Sequence, residues 1–156
     1  RQIEDETELD RLFQRLRVRL GTEAVILPEL VESYLPERAW RASSDELPGA
    51  MASTVTIPPR PLTLFPEPEE IRVMCEPSDD RTGHPRQFSW RGSVHRLAHH
   101  VGPERISGEW WRGHHRTRDY YDVEDESGRR FWVFRVLSVR ADESIAARWF
   151  LHGRFD

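Results

Sequence analysis

The sequence predicts an α+β fold that is mainly β: an N-terminal amphipathic helix, then a small antiparallel barrel or sandwich of about five to six strands. Three observations carry this. Apolar residues in the first twenty positions recur at helical spacing. From Ile71 onward, apolar and polar residues alternate between turn signals. Five of the six Trp lie between Trp90 and Trp149, interleaved with Arg and cut by Gly, as in a β-module with a recognition surface.

The helix spans Asp5 to Leu20. Leu9, Leu12, Phe13, Leu16 and Leu20 share one face. Glu4, Asp5, Glu6 and Glu8 crowd its start; Arg15, Arg17 and Arg19 crowd its end; Gly21 follows as a cap. Val25 to Leu27 read as a short strand, and Pro28 to Tyr34 as one or two helical turns ending before Pro36. Ala42 to Arg60, rich in Ser, Pro and Gly, reads as a linker. The chain therefore divides into a helical segment (1–42), a linker (43–60) and an aromatic-rich β-module (61–156).

Within the β-module, Pro61, Pro66 and Pro68 confine Leu62 to Phe65 to a short or edge strand. Ile71 to Glu76 alternate as a strand, and Pro77 to Pro85 form a polar loop. Gln87 to Trp90 and Ser93 to His100 form a hairpin about Arg91-Gly92. Arg118 to Glu124 and Arg129 to Val136 form a second hairpin with Glu-Ser-Gly at its tip. Arg148 to Phe155 is the closing strand. Closure into a barrel or sandwich would hide the sheet edges.

The 156 residues suit one domain with an appendage, and the start at Arg1 reads as a piece of a longer protein. No apolar run approaches the roughly 18 residues of a membrane span, so no membrane role is expected. The single cysteine, Cys75, allows no internal disulfide and fits a reducing compartment. All 23 basic residues are Arg, the kind of bias codon usage produces. Net charge is −4, yet Arg81 to Arg118 carries +6 and six of the seven His. Five acids follow within Asp119 to Glu126. Strand geometry can place such charges on opposite faces or pair them across the sheet.

Catalytic and metal chemistry find no pattern. His99-His100 and His114-His115 are neighbours, which a strand would turn to opposite faces, and no Cys-x-x-Cys or His-Glu-x-x-His occurs. No metal, cofactor or catalytic residue is expected, since Ser89, Ser93 and Ser107 stand in no triad or nucleophile-elbow spacing. Asp119, Asp122 and Glu124 read as solvated strand charges.

The aromatics speak louder. Trp90, Trp111, Tyr121, Phe131, Trp132, Phe134, Trp149 and Phe150 exceed the about five large rings a domain this size buries. The surplus suits a partner surface or a base-stacking platform. Partner contact is favoured, because the acidic run opposes a phosphate backbone. Candidate partner-binding residues are Trp110, Trp111, Arg112, Arg118 and Tyr120, with Leu9 and Phe13 of the helix. If Trp110-Trp111 lies on a strand, one ring faces in and one out. The alternative is single-stranded or template DNA binding through Arg91, Arg96, Arg105, Arg112 and Arg116.

Several blocks occur in a fixed order: Gly102-Pro103-Glu104-Arg105-Ile106, Trp110-Trp111, Arg118-Asp119-Tyr120-Tyr121, Arg130-Phe131-Trp132-Val133-Phe134-Arg135 and Trp149-Phe150-Leu151-His152-Gly153. They resemble the C-terminal region of the ImuB family, the polymerase-like Y-family subunits of a bacterial mutagenesis cassette. Leu20-Gly21, Glu23-Ala24-Val25, Leu35-Pro36-Glu37-Arg38-Ala39-Trp40 and Arg60-Pro61-Leu62 agree, so the resemblance runs from Leu9 to Phe155.

The resemblance implies a hub that lacks the catalytic carboxylates of translesion polymerases. Such a hub binds a sliding clamp, a RecA-like ImuA partner and an error-prone replicative-type polymerase α subunit. The C-terminal region is the part implicated in contacts with the last two. A cytoplasmic, nucleoid-associated setting is implied, with the polymerase core and the family's clamp motif upstream of Arg1. Leu62, Leu64 and Phe65 are also similar to the core of a clamp-binding peptide, although Pro61 stands where such peptides carry Gln. The resemblance itself assigns no contact residues.

Overall fold

The computed structural model describes residues 2–43, 59–76, 83–113, 116–139 and 145–155. They fall into two compact units, one of 1–32 with 38–55, the other of 33–37 with 56–156.

The first unit opens with α1 (Gln2–Leu20). Leu9 and Leu12 are exposed and Phe13 and Leu16 half-buried, so the apolar stripe stays largely open. Gly21 ends the helix: its φ of 96° is one that residues with a side chain rarely adopt, and its N–H donates to the Arg17 carbonyl at 2.9 Å. Two short strands follow, β1 (Leu27–Leu30) and β2 (Trp40–Ser43), paired antiparallel with Leu27 opposite Ser43. Residues 28–30, expected to be helical, are therefore extended. Pro28 lacks the N–H a helix interior uses, and Trp40–Ser43 supplies a partner strand that local propensity cannot anticipate. A 3-10 turn covers Pro36–Arg38.

The second unit is a closed barrel. Its strands are β3 (Thr63–Glu76), β4 (His84–Trp90), β5 (Ser93–Ile106), β6 (Arg118–Asp125), β7 (Arg130–Val139) and β8 (Ile145–Arg154). Each runs antiparallel to the next, and β8 returns to pair with β3. The antiparallel expectation thus resolves to a barrel of six strands among the described residues. Arg91 and Gly92, with φ of 47° and 80°, make the tight turn between β4 and β5. At the β6–β7 tip, the Asp125 carboxylate accepts the N–H groups of Ser127 (2.9 Å) and Arg129 (3.1 Å).

The first barrel strand is longer than expected. Leu62–Phe65 and Ile71–Glu76 were expected as separate pieces, yet β3 is continuous. Its pairing with β8 skips from Leu64 to Glu69. Pro66 and Pro68 sit in that gap, where a missing N–H breaks no ladder bond. From Arg72 onward the strand pairs with β4 instead.

Two apolar clusters explain the surplus of rings. Inside the barrel lie Ile71, Phe88, Leu97, Tyr121, Val123, Phe131, Val133, Trp149 and Leu151. A second cluster holds Tyr120, Trp132 and Phe134, with Leu64, Ile106, Val136, Phe150 and Phe155 against it. Strand alternation sends Tyr121 and Val133 inward and their neighbours Tyr120 and Phe134 outward. Among the described residues seven large rings are buried (Phe88, Tyr120, Tyr121, Phe131, Trp132, Phe134, Trp149), more than one core is expected to take.

Strand β6 also carries an acid at either end of its inward face. Asp119 is 2% exposed rather than solvated. It accepts from Arg105 at 2.6 and 3.0 Å and from the buried Arg135 at 3.3 Å. These Arg105 bonds dominate over desolvation and hold its carboxyl below the ordinary range. Asp125 faces the ring of His95 at 3.0 Å, and that ring stacks on Phe88 at 4.5 Å. Burial would raise the Asp125 carboxyl, but His95, Arg129 and two backbone N–H groups outweigh it and hold it at about 2. Asp122 pairs with Arg130 across β6 and β7.

Candidate partner-binding face

The outer aromatic cluster would be an exposed patch on a bare barrel. Residues Ser33–Glu37, which belong to the barrel unit, form a strap beside it. Leu35 is 2% exposed and shares a groove wall with Phe134. Two carboxylates fix the strap. Glu109, wholly buried, accepts from the Ser33 hydroxyl (2.5 Å) and the Tyr34 N–H (3.0 Å), with Arg112 at 3.6 Å. Glu37 receives both terminal nitrogens of Arg118, at 3.2 and 2.9 Å. That bidentate, half-buried geometry is the strong form of an ion pair.

Beneath the strap the network continues inward. Arg118 donates to the Tyr120 hydroxyl at 3.0 Å, and that hydroxyl meets His152 Nδ1 at 2.9 Å. His152 Nε2 stands 3.6 Å from Glu37. Burial, reinforced by the Arg118 charge, pulls the His152 pKa down to about 4 against the opposing pull of Glu37. Burial likewise raises the Tyr120 phenol. It also works to raise Glu37, but the Arg118 hydrogen bonds win and lower it. Trp132 stacks on Tyr120 at 4.1 Å, and the Arg60 guanidinium covers its ring at 5.0 Å while gripping Glu104.

Past Leu35 the outer face stays open as a groove of about 390 Å³. Its floor is Phe134 stacked on Phe150, centroids 5.0 Å apart. Pro68 and Val136 also line it, and Arg116 and Arg118 stand at its edge. Arg118 lies over Phe134 at 4.8 Å and Arg148 over Phe150 at 5.3 Å. On the strap's other flank, Trp111 meets Tyr34 edge-on at 5.8 Å, and both rings are more than half exposed.

The candidate residues distribute unevenly. Trp110–Arg112 forms a 3-10 turn rather than a strand, so the inward–outward alternation does not apply. The Trp110 side chain lies outside the described residues. Trp111 is exposed and Arg112 exposed but paired with Glu109. Tyr120, expected at the surface, is 1% exposed, because Arg118, Trp132, Phe134 and His152 pack around it. Arg118 is half-buried. Leu9 and Phe13 belong to the other unit.

Of the arginines considered for nucleic acid, Arg91 pairs with Glu69 (2.6 Å), Arg105 with Asp119 and Arg112 with Glu109. Arg96 and Arg116 are exposed. Arg81 and the His114-His115 pair lie outside the described residues. Leu64 and Phe65 are committed to β3, where Leu64 joins the outer cluster and Phe65 stacks near Trp90 at 6.1 Å. Leu62 alone of that trio is freely exposed.

Sequence reasoning missed Ser33, Glu37, Glu109 and His152. Leu35 and Glu37 fall in a block that carried the family resemblance, but nothing in their spacing ties Glu37 to Arg118, 81 positions away. Among the described residues no group of three or more His, Cys, Asp or Glu could hold a metal ion. None of the described helices is long and apolar enough to cross a membrane.

These features define a small antiparallel-barrel module with a strapped aromatic outer face. Residues 66–156 match the family described as Domain of unknown function (DUF6504), and the chain belongs to that family. It is also 40% identical over 159 residues to Protein ImuB of Caulobacter vibrioides (strain NA1000 / CB15N). The match to Protein ImuB of strain ATCC 19089 / CIP 103742 / CB 15 is the same. Each alignment covers 97% of this chain and 34% of the relative, its C-terminal part, so the chain spans about a third of the length of these curated relatives. The resemblance read from the aromatic blocks is thereby borne out. No solved structure matches the chain.

Proposed function

We propose that this chain is a non-catalytic protein-interaction module of a translesion DNA synthesis complex. It docks a RecA-like ImuA-type partner, an error-prone replicative-type polymerase α subunit, or both. The similarity to ImuB supports the setting. The observation that carries the docking role is the exposed Trp111–Tyr34 pair beside an open aromatic groove edged by arginine. Exposed aromatics with Arg are the residues that dominate binding energy at protein interfaces.

In this reading Trp110, Trp111 and Arg112 touch the partner, while Arg118 and Tyr120 shape the face from below. Leu9 and Phe13 offer a second, helical surface of the kind that lies in an apolar groove. Residues 43–60 tether the helical segment to the β-module. The sliding clamp is engaged through a motif elsewhere in the ImuB-type protein, in a cytoplasmic, nucleoid-associated complex. Direct DNA binding is less well supported, because Arg91, Arg105 and Arg112 each have an acidic partner.

The test is co-elution of the chain with a purified ImuA-type protein and, separately, with the α subunit, at low salt and at about 0.3 M, where exposed charges are well screened. A complex that survives high salt and weakens about ten-fold on Trp111→Ala, with little change in melting temperature, is the expected result. Absence of any complex with either protein would overturn the reading.

A further inference from the structure

We infer that the open groove beside the strap is a binding site for an extended peptide segment that carries an apolar side chain next to a carboxylate. The inference rests on the partner-docking role proposed above and specifies the chemistry of the segment that docks. Three observations carry it.

First, the groove has a stacked aromatic floor, Phe134 on Phe150, and about 390 Å³ of volume. That is the size of two or three side chains, too small for a folded partner to enter whole. Second, its charged linings, Arg116 and Arg118, are both cationic. Arg118 already serves Glu37, whereas Arg116 is exposed and has no acidic partner among the described residues. The groove therefore offers a charge that an incoming carboxylate would match.

Third, the neighbouring part of the same face already holds a peptide of this kind. The strap Ser33–Glu37 buries Leu35 against the groove wall and sets Glu37 on Arg118. It docks by one apolar anchor and one carboxylate two residues apart, a mode that the open part of the face would also admit. A nucleic acid strand could also stack on Phe150 and meet Arg116. The peptide is favoured because Arg148, beside Phe150, is already neutralised by Glu70.

The experiment is selection of a random dodecapeptide phage library on the full chain, with Arg116→Glu as the counter-target and Arg96→Glu, an exposed arginine outside the groove, as the control. Expected are enriched peptides that pair Asp or Glu with Leu, Phe or another large apolar residue. Their synthetic versions should bind at least about ten-fold more weakly to Arg116→Glu and unchanged to Arg96→Glu. No enrichment, enriched peptides without acids, or equal binding to all three proteins would overturn the inference. A labelled oligo(dT) whose binding is lost in Arg116→Glu would reassign the groove to nucleic acid. If ImuA-type or α-subunit complexes form but ignore Arg116→Glu and the library yields nothing, the docking role stands and the groove inference alone fails.

Discussion

The Ser33 hydroxyl donates a 2.5 Å hydrogen bond to Glu109 across 76 positions of chain, and Glu109 is wholly buried where it accepts. A carboxylate taken out of water is costly unless its oxygens find partners. Here Oε1 takes both strap bonds, from Ser33 and Tyr34, while Oε2 faces Arg112 at 3.6 Å. Glu109→Ala should therefore lower unfolding free energy by about 2–4 kcal/mol, through the lost acceptor and the freed strap. Glu109→Gln keeps a carbonyl acceptor and should lose less. Urea denaturation followed by Trp fluorescence reads both, and an unchanged Glu109→Ala would mean the strap is held elsewhere.

Inside the barrel, Asp119 and Arg135 form a buried pair, 2% and 3% exposed at their side chains in the order Arg135, Asp119. Arg135 also donates to the Gly83 carbonyl at 3.0 Å and lies over the Tyr121 ring at 5.3 Å. Removing one partner of such a pair leaves the other's charge desolvated, so Asp119→Ala should cost about 3–5 kcal/mol. Asp119→Leu combined with Arg135→Met should lose less than Asp119→Ala alone, a non-additivity that a double-mutant cycle measures. Arg105→Ala should cost less than Asp119→Ala, since that guanidinium is mostly in water and Arg135 still pairs with Asp119.

The barrel was legible because period-two alternation and turn residues are local signals. Arg91-Gly92 and the Asp125–Gly128 tip mark their hairpins within a few residues. The strap was not legible. Its partners, Glu109 and Arg118, lie more than seventy positions downstream, and no local periodicity encodes such a pairing. Tyr120 was misplaced for a related reason. Alternation correctly separates it from Tyr121, but outward from the barrel does not mean exposed when a second apolar cluster packs on that face. Propensity also misplaced the short strand: it is expected over Val25 to Leu27 but lies at Leu27–Leu30, where a distant partner strand decided the conformation.

Gly153 sits where β8 closes on β3. A Cβ there would lie 2.6 Å from the Thr63 carbonyl oxygen and 2.8 Å from the Pro61 ring. The first of these is backbone and cannot swing aside. Gly153→Ala should open the seam and cost about 1–3 kcal/mol. Gly92→Ala offers a contrast, since no atom lies within 4 Å of its would-be Cβ and only its positive φ resists. It should cost about 1 kcal/mol. Thermal melts of the two variants give the comparison, and equal losses would count against close packing at the seam.

His152 gives the fold a pH dependence of defined sign. Its imidazole is wholly buried against Tyr120, Arg118 and Glu37, and its pKa falls from 6.5 to about 4, chiefly through burial. Between those values the unfolded chain takes up a proton that the folded chain refuses. This contribution to stability is therefore complete above about pH 6.5 and is lost as pH drops toward 4, by at most about 3 kcal/mol. Asp125, held at about 2 against an ordinary 3.8, acts with the same sign but only at lower pH. Burial also lowers His100, which adds to the slope in the upper window. His152→Gln separates the two, because the amide stays neutral at every pH and can still meet the Tyr120 hydroxyl. Urea midpoints measured from pH 7 to 4.5 should fall less steeply in the variant than in the wild type, and parallel curves would place the source of the slope elsewhere.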